Sequence, residues 1–356
     1  MGLRSYILKR IGYSFILLIL VLTLNFIIFW VMPGDPISLF INPVKGSKPE
    51  RELIAAGLKK LWGIGDPLPV QFLRYLQNML SWQFGTSFIS FETISSEILY
   101  YVPFTVLLMG GSTVLAIVFG VVIGVLVAHK RGGKFDSSMV LTSLIFYSLP
   151  TFWMGMIFII LFSSMLGWFP IKGAYPSQWT LPGQWPTPLT IDPGSSSPNT
   201  LNVMLNLNTG NTLTFVWGFL WHSFLPVMTL TLFQYGGYLL LARATMIEAL
   251  TEDYIITARA KGITERNVLF KHALKNASLP LITNAALSFG FMLSGAIITE
   301  TVYTWPGIGH WIWFAIQNKD FPALQALFYI VALSVILANF VSDLLYGIID
   351  PRIKYG

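Results

Sequence analysis

The chain has 356 residues, 54% hydrophobic and 11% charged, with a net charge of +6 and no cysteine; its mean hydropathy is +0.66. A soluble domain carries roughly 25% charged residues, so a water-soluble globular enzyme is excluded, as is a disordered chain, which needs the opposite composition. The missing cysteines exclude a disulfide framework, cysteine-ligated zinc, iron–sulfur clusters and a cysteine nucleophile.

A hydrocarbon core about 30 Å thick takes about 20 apolar residues of helix. Stretches free of Asp, Glu, Lys and Arg predict six spans: Ile11–Met32, Val102–Ala128, a helix near 138–163 within the uncharged run Ser137–Ile171, 223–243 ending at Arg243, 279–299, and 323–345 with Asp343 near its end. The first resembles a signal peptide in its basic start, but its run is too long and Met32-Pro33-Gly34-Asp35 is no small-residue cleavage site, so it reads as a retained helix. The fold expected is an all-α integral membrane protein of six transmembrane helices with extended external loops.

Residues 1–32 hold a short tail and the first span, 33–101 an external segment, and 102–356 the remaining five spans. Pro33-Gly34-Asp35-Pro36 is a helix stop and turn. Apolar spacing predicts short helices over 50–62 and 69–82, packed on the membrane face. A second external insertion, 165–221, is rich in Pro, Ser, Thr, Asn and Trp and reads as an irregular loop. No internal repeat pairs spans one to three with four to six, as an inverted-repeat transporter would require.

Basic residues set the topology. Arg4, Lys9 and Arg10 precede span one; Lys130, Arg131 and Lys134 follow span two; Arg243, Arg259, Lys261, Arg266, Lys271 and Lys275 follow span four; Arg352 and Lys354 end the chain. These alternate segments fall on one side, which is cytoplasmic by the positive-inside rule, with both termini inside. The positive charge is thereby mostly accounted for, and no nucleic acid is needed.

The segment 244–278, between spans four and five, reads as helix, elbow, helix. Ala258–Lys261 favour helix, Gly262 suits a left-handed C′ position, Thr264 is placed to cap the next helix, and Pro280 suits the first turn of span five. Taken by itself it is equally well an ordinary amphipathic cytosolic loop.

This segment resembles the EAA loop of ATP-binding-cassette importer permeases, in the version found in the dipeptide/oligopeptide/nickel family. Further matches are Pro33-Gly34-Asp35-Pro36 after a first helix, as in the B-type (DppB/OppB-like) subunits, and Arg243-Ala244-Thr245-Met246 at the loop entry. Glu300-Thr301-Val302-Tyr303-Thr304-Trp305-Pro306-Gly307-Ile308-Gly309, Asp343-Leu344-Leu345-Tyr346 and Asp350-Pro351-Arg352-Ile353 extend the likeness to nearly the whole chain. Two departures stand out: the Pro/Trp/Asn-rich segment near 172–221 is longer than usual, and Ile256-Thr257-Ala258 stands where the family has Glu-Ala-Ala.

The resemblance implies the type I importer permease fold and a multi-pass protein of the cell membrane, forming half of a translocation pathway in the lipid bilayer. It implies a second, C-type permease, two cytosolic ATPase subunits and an external substrate-binding protein as partners. The EAA-loop helix would be the coupling helix, with Thr257, Ala258, Arg259, Ala260, Lys261, Gly262, Ile263, Glu265 and Arg266 coupling to the ATPase, and Ala258, Ala260, Gly262 and 263–270 forming the docking surface. ATP and Mg would sit on the ATPase subunits, with no cofactor or metal on this chain. The chain lacks a phosphate loop: Gly132-Gly133-Lys134 is followed by Phe135, and Ala128 replaces the first glycine. Oligopeptides are the leading substrate and cello- or other β-linked oligosaccharides the alternative. A stand-alone channel or a membrane enzyme is the reading from a different class; the first leaves the loop match unexplained, and the second lacks a catalytic constellation.

Asp35, Glu300 and Trp305 are candidates for an outer gate or a binding-protein contact. Glu300 reads more readily as an interfacial carboxylate satisfied by backbone donors. Asp343 is expected to form a structural pair with a basic residue. His129, His222, His272 and His310 lack metal-ligand spacing. Trp305, Trp311 and Trp313 read as a membrane-interface belt.

Overall fold

The computed structural model describes residues 3–30, 49, 56–57, 66–174, 212–290, 292 and 296–349. Asp35, nearly all of the expected helix over 50–62 and most of the insertion 165–221 lie outside the described residues. The described elements are helical. They are α1 (Leu3–Trp30), α2 (Leu68–Leu80), α3 (Ile94–His129), α4 (Lys134–Ser148), α5 (Thr151–Phe158, extended by a π-helical Ile159–Met165) and α6 (Thr212–Leu250). After these come α7 (Asp253–Ala260), α8 (Glu265–Asn267), a π-helical Val268–Ala273 leading into α9 (Leu274–Gly290), α10 (Ile297–Val302), α11 (Ile308–Asn318) and α12 (Phe321–Ile349).

Among the described residues four helices are long and apolar enough to cross a membrane, α1, α3, α6 and α12, with a fifth if the bent pair α4–α5 is one span. The helix at the place of the expected fifth span, α9, has 17 residues. The expected single helix near 138–163 is corrected: α4 and α5 meet at a 100° bend. Pro150 has no N–H to continue the ladder and holds Leu149 extended, at φ −77° and ψ 133°. Pro280 also departs from expectation. It lies inside α9 rather than in its first turn, because the helix begins before the apolar run does. The 69–82 helix forms as α2. At 36 and 39 residues, α3 and α6 overrun the apolar windows that predicted them, so residues 94–101 and 212–221, expected in loops, are helical.

Two of these long helices make the central contact. A Cβ added to Gly120 on α3 would meet the Cβ of Tyr238 at 2.5 Å and the carbonyl oxygen of Tyr235 at 2.8 Å; at Gly124 it would meet Ala242 Cβ at 2.7 Å and the Leu239 carbonyl oxygen at 2.8 Å. Small residues four apart let backbones approach where lipid provides no hydrophobic drive between helices. Gly236 does the same for α4, its missing Cβ lying 2.7 Å from the Ser143 carbonyl oxygen. Arg243 of α6 then grips Asp136 of α4, donating from Nε at 2.7 Å and from Nη2 at 2.9 Å.

Helices α1 and α12 run antiparallel. Asn25 Nδ2 donates to the Gln325 carbonyl at 3.0 Å, and Phe29 packs edge-on against Phe321. At the far end Arg10 pairs with Asp343 at 2.7 Å, the structural pair expected of that carboxylate. The Phe321 end of α12 also meets the start of α3, where Phe88 N–H donates to Asp320 and Tyr101 stacks on Trp311 at 4.9 Å. The other end of α3, His129, therefore lies at the Arg10/Asp343 end of the bundle, as do α7 and α8.

Replacing Gly124 with leucine is expected to lower stability by about 1–3 kcal/mol through overpacking, read as an unfolding midpoint in detergent. Gly111→Ala, where an added Cβ meets nothing within 4 Å, is the matched control and is expected to leave the midpoint in place.

Candidate functional site

The segment 244–278 is built on the ends of α3 and α6. Ile255 and Ala258, three residues apart on α7, are buried in one apolar cluster with Val125, Ala128, Met246, Ala249, Val268 and Leu269. Asp253 in the first turn of α7 and Arg259 in its last complement the helix dipole. The helix ends in a Schellman motif: Ile263 N–H donates to the Ala258 carbonyl and Gly262 N–H to the Arg259 carbonyl. That motif needs a left-handed residue at 262, and Gly262 supplies it at φ +74° with open space around it.

Thr264 stands at the N-cap of α8, but its hydroxyl makes no cap bond, which corrects the expectation. Its backbone carbonyl takes the first helical bonds, from Asn267 and Val268. The elbow is braced instead by a side-chain pair across it. Arg259 donates to Glu265 from Nη2 at 2.7 Å and Nε at 3.2 Å, and His129 Nδ1 lies 3.5 Å from the same carboxyl. The guanidinium holds the Glu265 carboxyl below the usual carboxylate range. Both partners are partly exposed, so the pair steers the elbow's geometry more than it stabilises the fold.

The expected docking surface is corrected in two places. Ala258 faces the permease core, and so do Val268 and Leu269 of the stretch 263–270. The face turned outward carries Thr257, Arg259, Ala260, Lys261, Gly262 and Arg266, with Ile263 and Glu265 half-buried at its edge. Its apolar member is Ile256, 61% exposed, which the sequence reading passed over. The signal was present: once Ile255 and Ala258 point inward, the helical period turns Ile256 outward.

At the opposite end, Glu300 is fully buried. Its carboxyl accepts from Thr105 Oγ1 at 3.1 Å and from the His310 N–H at 3.0 Å, in the first turn of α11. Thr105 in turn accepts from Ile308 N–H at 2.7 Å. A side chain at Gly307 would collide with the Glu300 carboxyl and Thr105, and one at Gly309 with the Ile297 backbone. An acidic group thus sits at a helix N-terminus, where the dipole favours it, and ties α3, α10 and α11 together.

Trp305 is likewise fully buried, its Nε1–H donating to the Phe104 carbonyl at 3.1 Å. Neither side chain is exposed on this chain, so the binding-protein half of the expectation finds no surface here. The tryptophan belt is corrected too: Trp305 and Trp311 are core residues, and Trp313 alone of the three is exposed.

Thr304 closes α10 with a left-handed backbone, φ +49°, while Trp305 N–H donates to the Glu300 carbonyl. Sequence reasoning also missed Asp320, which accepts from Ser87 Oγ, Phe88 N–H and Ala323 N–H. An Asp two residues before Pro322 at the head of an apolar run was a readable N-cap signal. Among the described residues no group of three or more His, Cys, Asp or Glu is placed to hold a metal.

The family described as "Binding-protein-dependent transport system inner membrane component" matches residues 120–355, and its N-terminal counterpart matches residues 3–109. The chain is 35% identical over 354 residues to the oligopeptide transport system permease protein AppB of Bacillus subtilis (strain 168), covering 99% of this chain and 100% of the relative. It is 35% identical to the di/tripeptide transport system permease protein DppB of Pseudomonas aeruginosa (strain UCBPP-PA14), covering 99% of each. To the dipeptide transport system permease protein DppB of Escherichia coli (strain K12) the identity is 34%, again over 99% of each.

Truncating Glu300 to alanine strands the His310 N–H and the Thr105 hydroxyl, and is expected to cost about 1–3 kcal/mol. Thr304→Gly is expected to raise stability by about 1 kcal/mol by relieving the left-handed strain on a β-branched residue. Unfolding midpoints of the purified protein check both.

Proposed function

The chain belongs to the family of binding-protein-dependent transport system inner membrane components, and from that premise we propose that it forms half of the pathway by which di- and oligopeptides enter the cell. It is a permease subunit of an ATP-binding-cassette transporter, and hydrolysis belongs to other subunits. The names of its relatives, which are peptide permeases, support the peptide substrate; oligosaccharides are not favoured.

In this reading α7 is the coupling helix. The observation that carries it is the pairing of a well-seated inner face with an exposed outer one. Ile255 and Ala258 fix the helix to the ends of α3 and α6, while Ile256, Thr257, Ala260, Lys261 and Gly262 stay free for a groove of an ATPase subunit. Through the elbow, α7 is joined to α8 and the helix that continues into α9, so a push on α7 is delivered to a membrane-level helix. Nucleotide-driven closure of two ATPase subunits would bias the permease between inward- and outward-facing states, each subunit pressing one permease. Only differential affinity for the two states can do this work. A second, C-type permease completes the pathway, and an external binding protein delivers substrate.

The orientation follows from charge. Arg10, Lys130, Arg131, Lys134, Arg259, Lys261 and Arg266 gather at the end that carries α7, and the positive-inside rule puts that end in the cytoplasm. Asp35 and Glu300 keep their candidacy for the outer gate, and Glu300 also positions α11 against α3.

The transporter reconstituted in lipid with its binding protein is expected to raise its ATPase activity with peptides and not with cello-oligosaccharides; stimulation by sugars alone would reassign the substrate. Gly262→Val forces a β-branched residue into a left-handed turn at about 1–2 kcal/mol. It is expected to abolish substrate-stimulated hydrolysis while the permease still inserts. Ile256→Asp is expected to reduce co-purification of the ATPase subunit. Unchanged uptake and co-purification in both variants would remove α7 as the docking element.

A further inference from the structure

The apolar arc of α2 is broad, and the fold covers only its inner face. Tyr75 and Met79 are fully buried, and Phe72 and Tyr75 pack on Phe26 of α1 with ring centroids 5.1 and 5.5 Å away. The outer face of the same arc carries Leu73, 65% exposed, and Leu80, 53% exposed, while Arg74 and Gln77 form the polar side of the helix. The following loop adds Trp82 and Phe91, both exposed and both on left-handed backbones, at φ 62° and 60°.

The depth of α2 decides what covers that outer face. The spanning part of α1 runs to Phe29, and that of α12 starts at Phe321. Yet α2 packs on Phe26 through the rings of Phe72 and Tyr75. Just beyond α2, Phe84 lies 5.9 Å from Tyr329. At 1.5 Å per residue these contacts lie about 4–12 Å below the ends of the two spans. An amphipathic helix embedded in the headgroup–acyl boundary sits about 5–10 Å deep.

The exposed stripe points directly away from the bundle at that depth. Leu24 and Leu20 of α1, both exposed, carry the apolar surface on toward the membrane centre, and Ile27 and Ile28 carry it out to the level of α2. Arg74 and Asp66, paired at 3.1 Å, flank the stripe as a neutralised polar edge.

We propose that α2, with Trp82 and Phe91, is embedded sideways in the bilayer leaflet opposite the coupling helix, Leu73 and Leu80 in contact with lipid and Arg74 and Gln77 turned toward the headgroups.

The chain's lack of cysteine makes the test direct. Single variants Leu73→Cys and Leu80→Cys are spin-labelled in the complete transporter, its other subunits made cysteine-free, in bilayers of phosphatidylethanolamine and phosphatidylglycerol. Ile28→Cys and Glu92→Cys are the lipid and water references. Collision with oxygen is expected to be strong and collision with a water-soluble nickel chelate weak at both sites, as at Ile28. Nickel access equal to that at Glu92 would show a free aqueous face and overturn the proposal. Low access to both probes would show a covering protein subunit and overturn it equally. None of these outcomes depends on the transported substrate.

Discussion

The close approach of α3 and α6 at Gly120 and Gly124 is the constraint from which the rest of the molecule is assembled. Any side chain larger than hydrogen at either glycine would press on the backbone of α6. With the helices this close, Val125, Ala128, Met246 and Ala249 at one end form one apolar floor, and α7 is seated on that floor by Ile255 and Ala258. The same α6 carries Gly236 and Arg243, which hold α4. The proposed coupling helix is thus anchored to two closely packed helices of the bundle.

A second constraint is that buried polar groups at membrane depth must find partners within the protein. Thr113 donates to Gln234, Tyr238 to Ser288, and Tyr303 and Thr229 share a hydrogen bond at 2.9 Å. Each bond joins two different helices, so satisfying the group also fixes a helix position. Glu300 is the strongest case, since one carboxyl takes bonds from α3 and α11 and determines how α10 turns into the next helix. Charged groups cluster instead at the coupling end, where water or a partner protein can solvate them.

Much of the candidate site could be read from residues whose backbone needs are local. Gly262 was legible because a left-handed turn has few residue choices, and the Arg259–Glu265 brace spans only six residues. Ala258 and Ile256 were not, because which face of α7 meets the bundle depends on Val125 and Ala128, more than a hundred residues away. Trp305 looked like an interface tryptophan for the same reason; only Phe104 and Phe219 around it show that it is core. The bend at Leu149-Pro150 was available in sequence, yet the uncharged run across it hid the break.

Composition and hydropathy by themselves determined that this is a multi-span membrane protein, because transfer into lipid acts residue by residue and needs no tertiary contact. The motif at the elbow and the run around Glu300 likewise fixed the family. Tertiary structure alone decided which side of each helix is buried, how Glu300 becomes a knot between three helices, and how deep α2 lies against α1. Those features arise from contacts between segments far apart in the chain, and periodicity within one segment carries no record of what will pack against it.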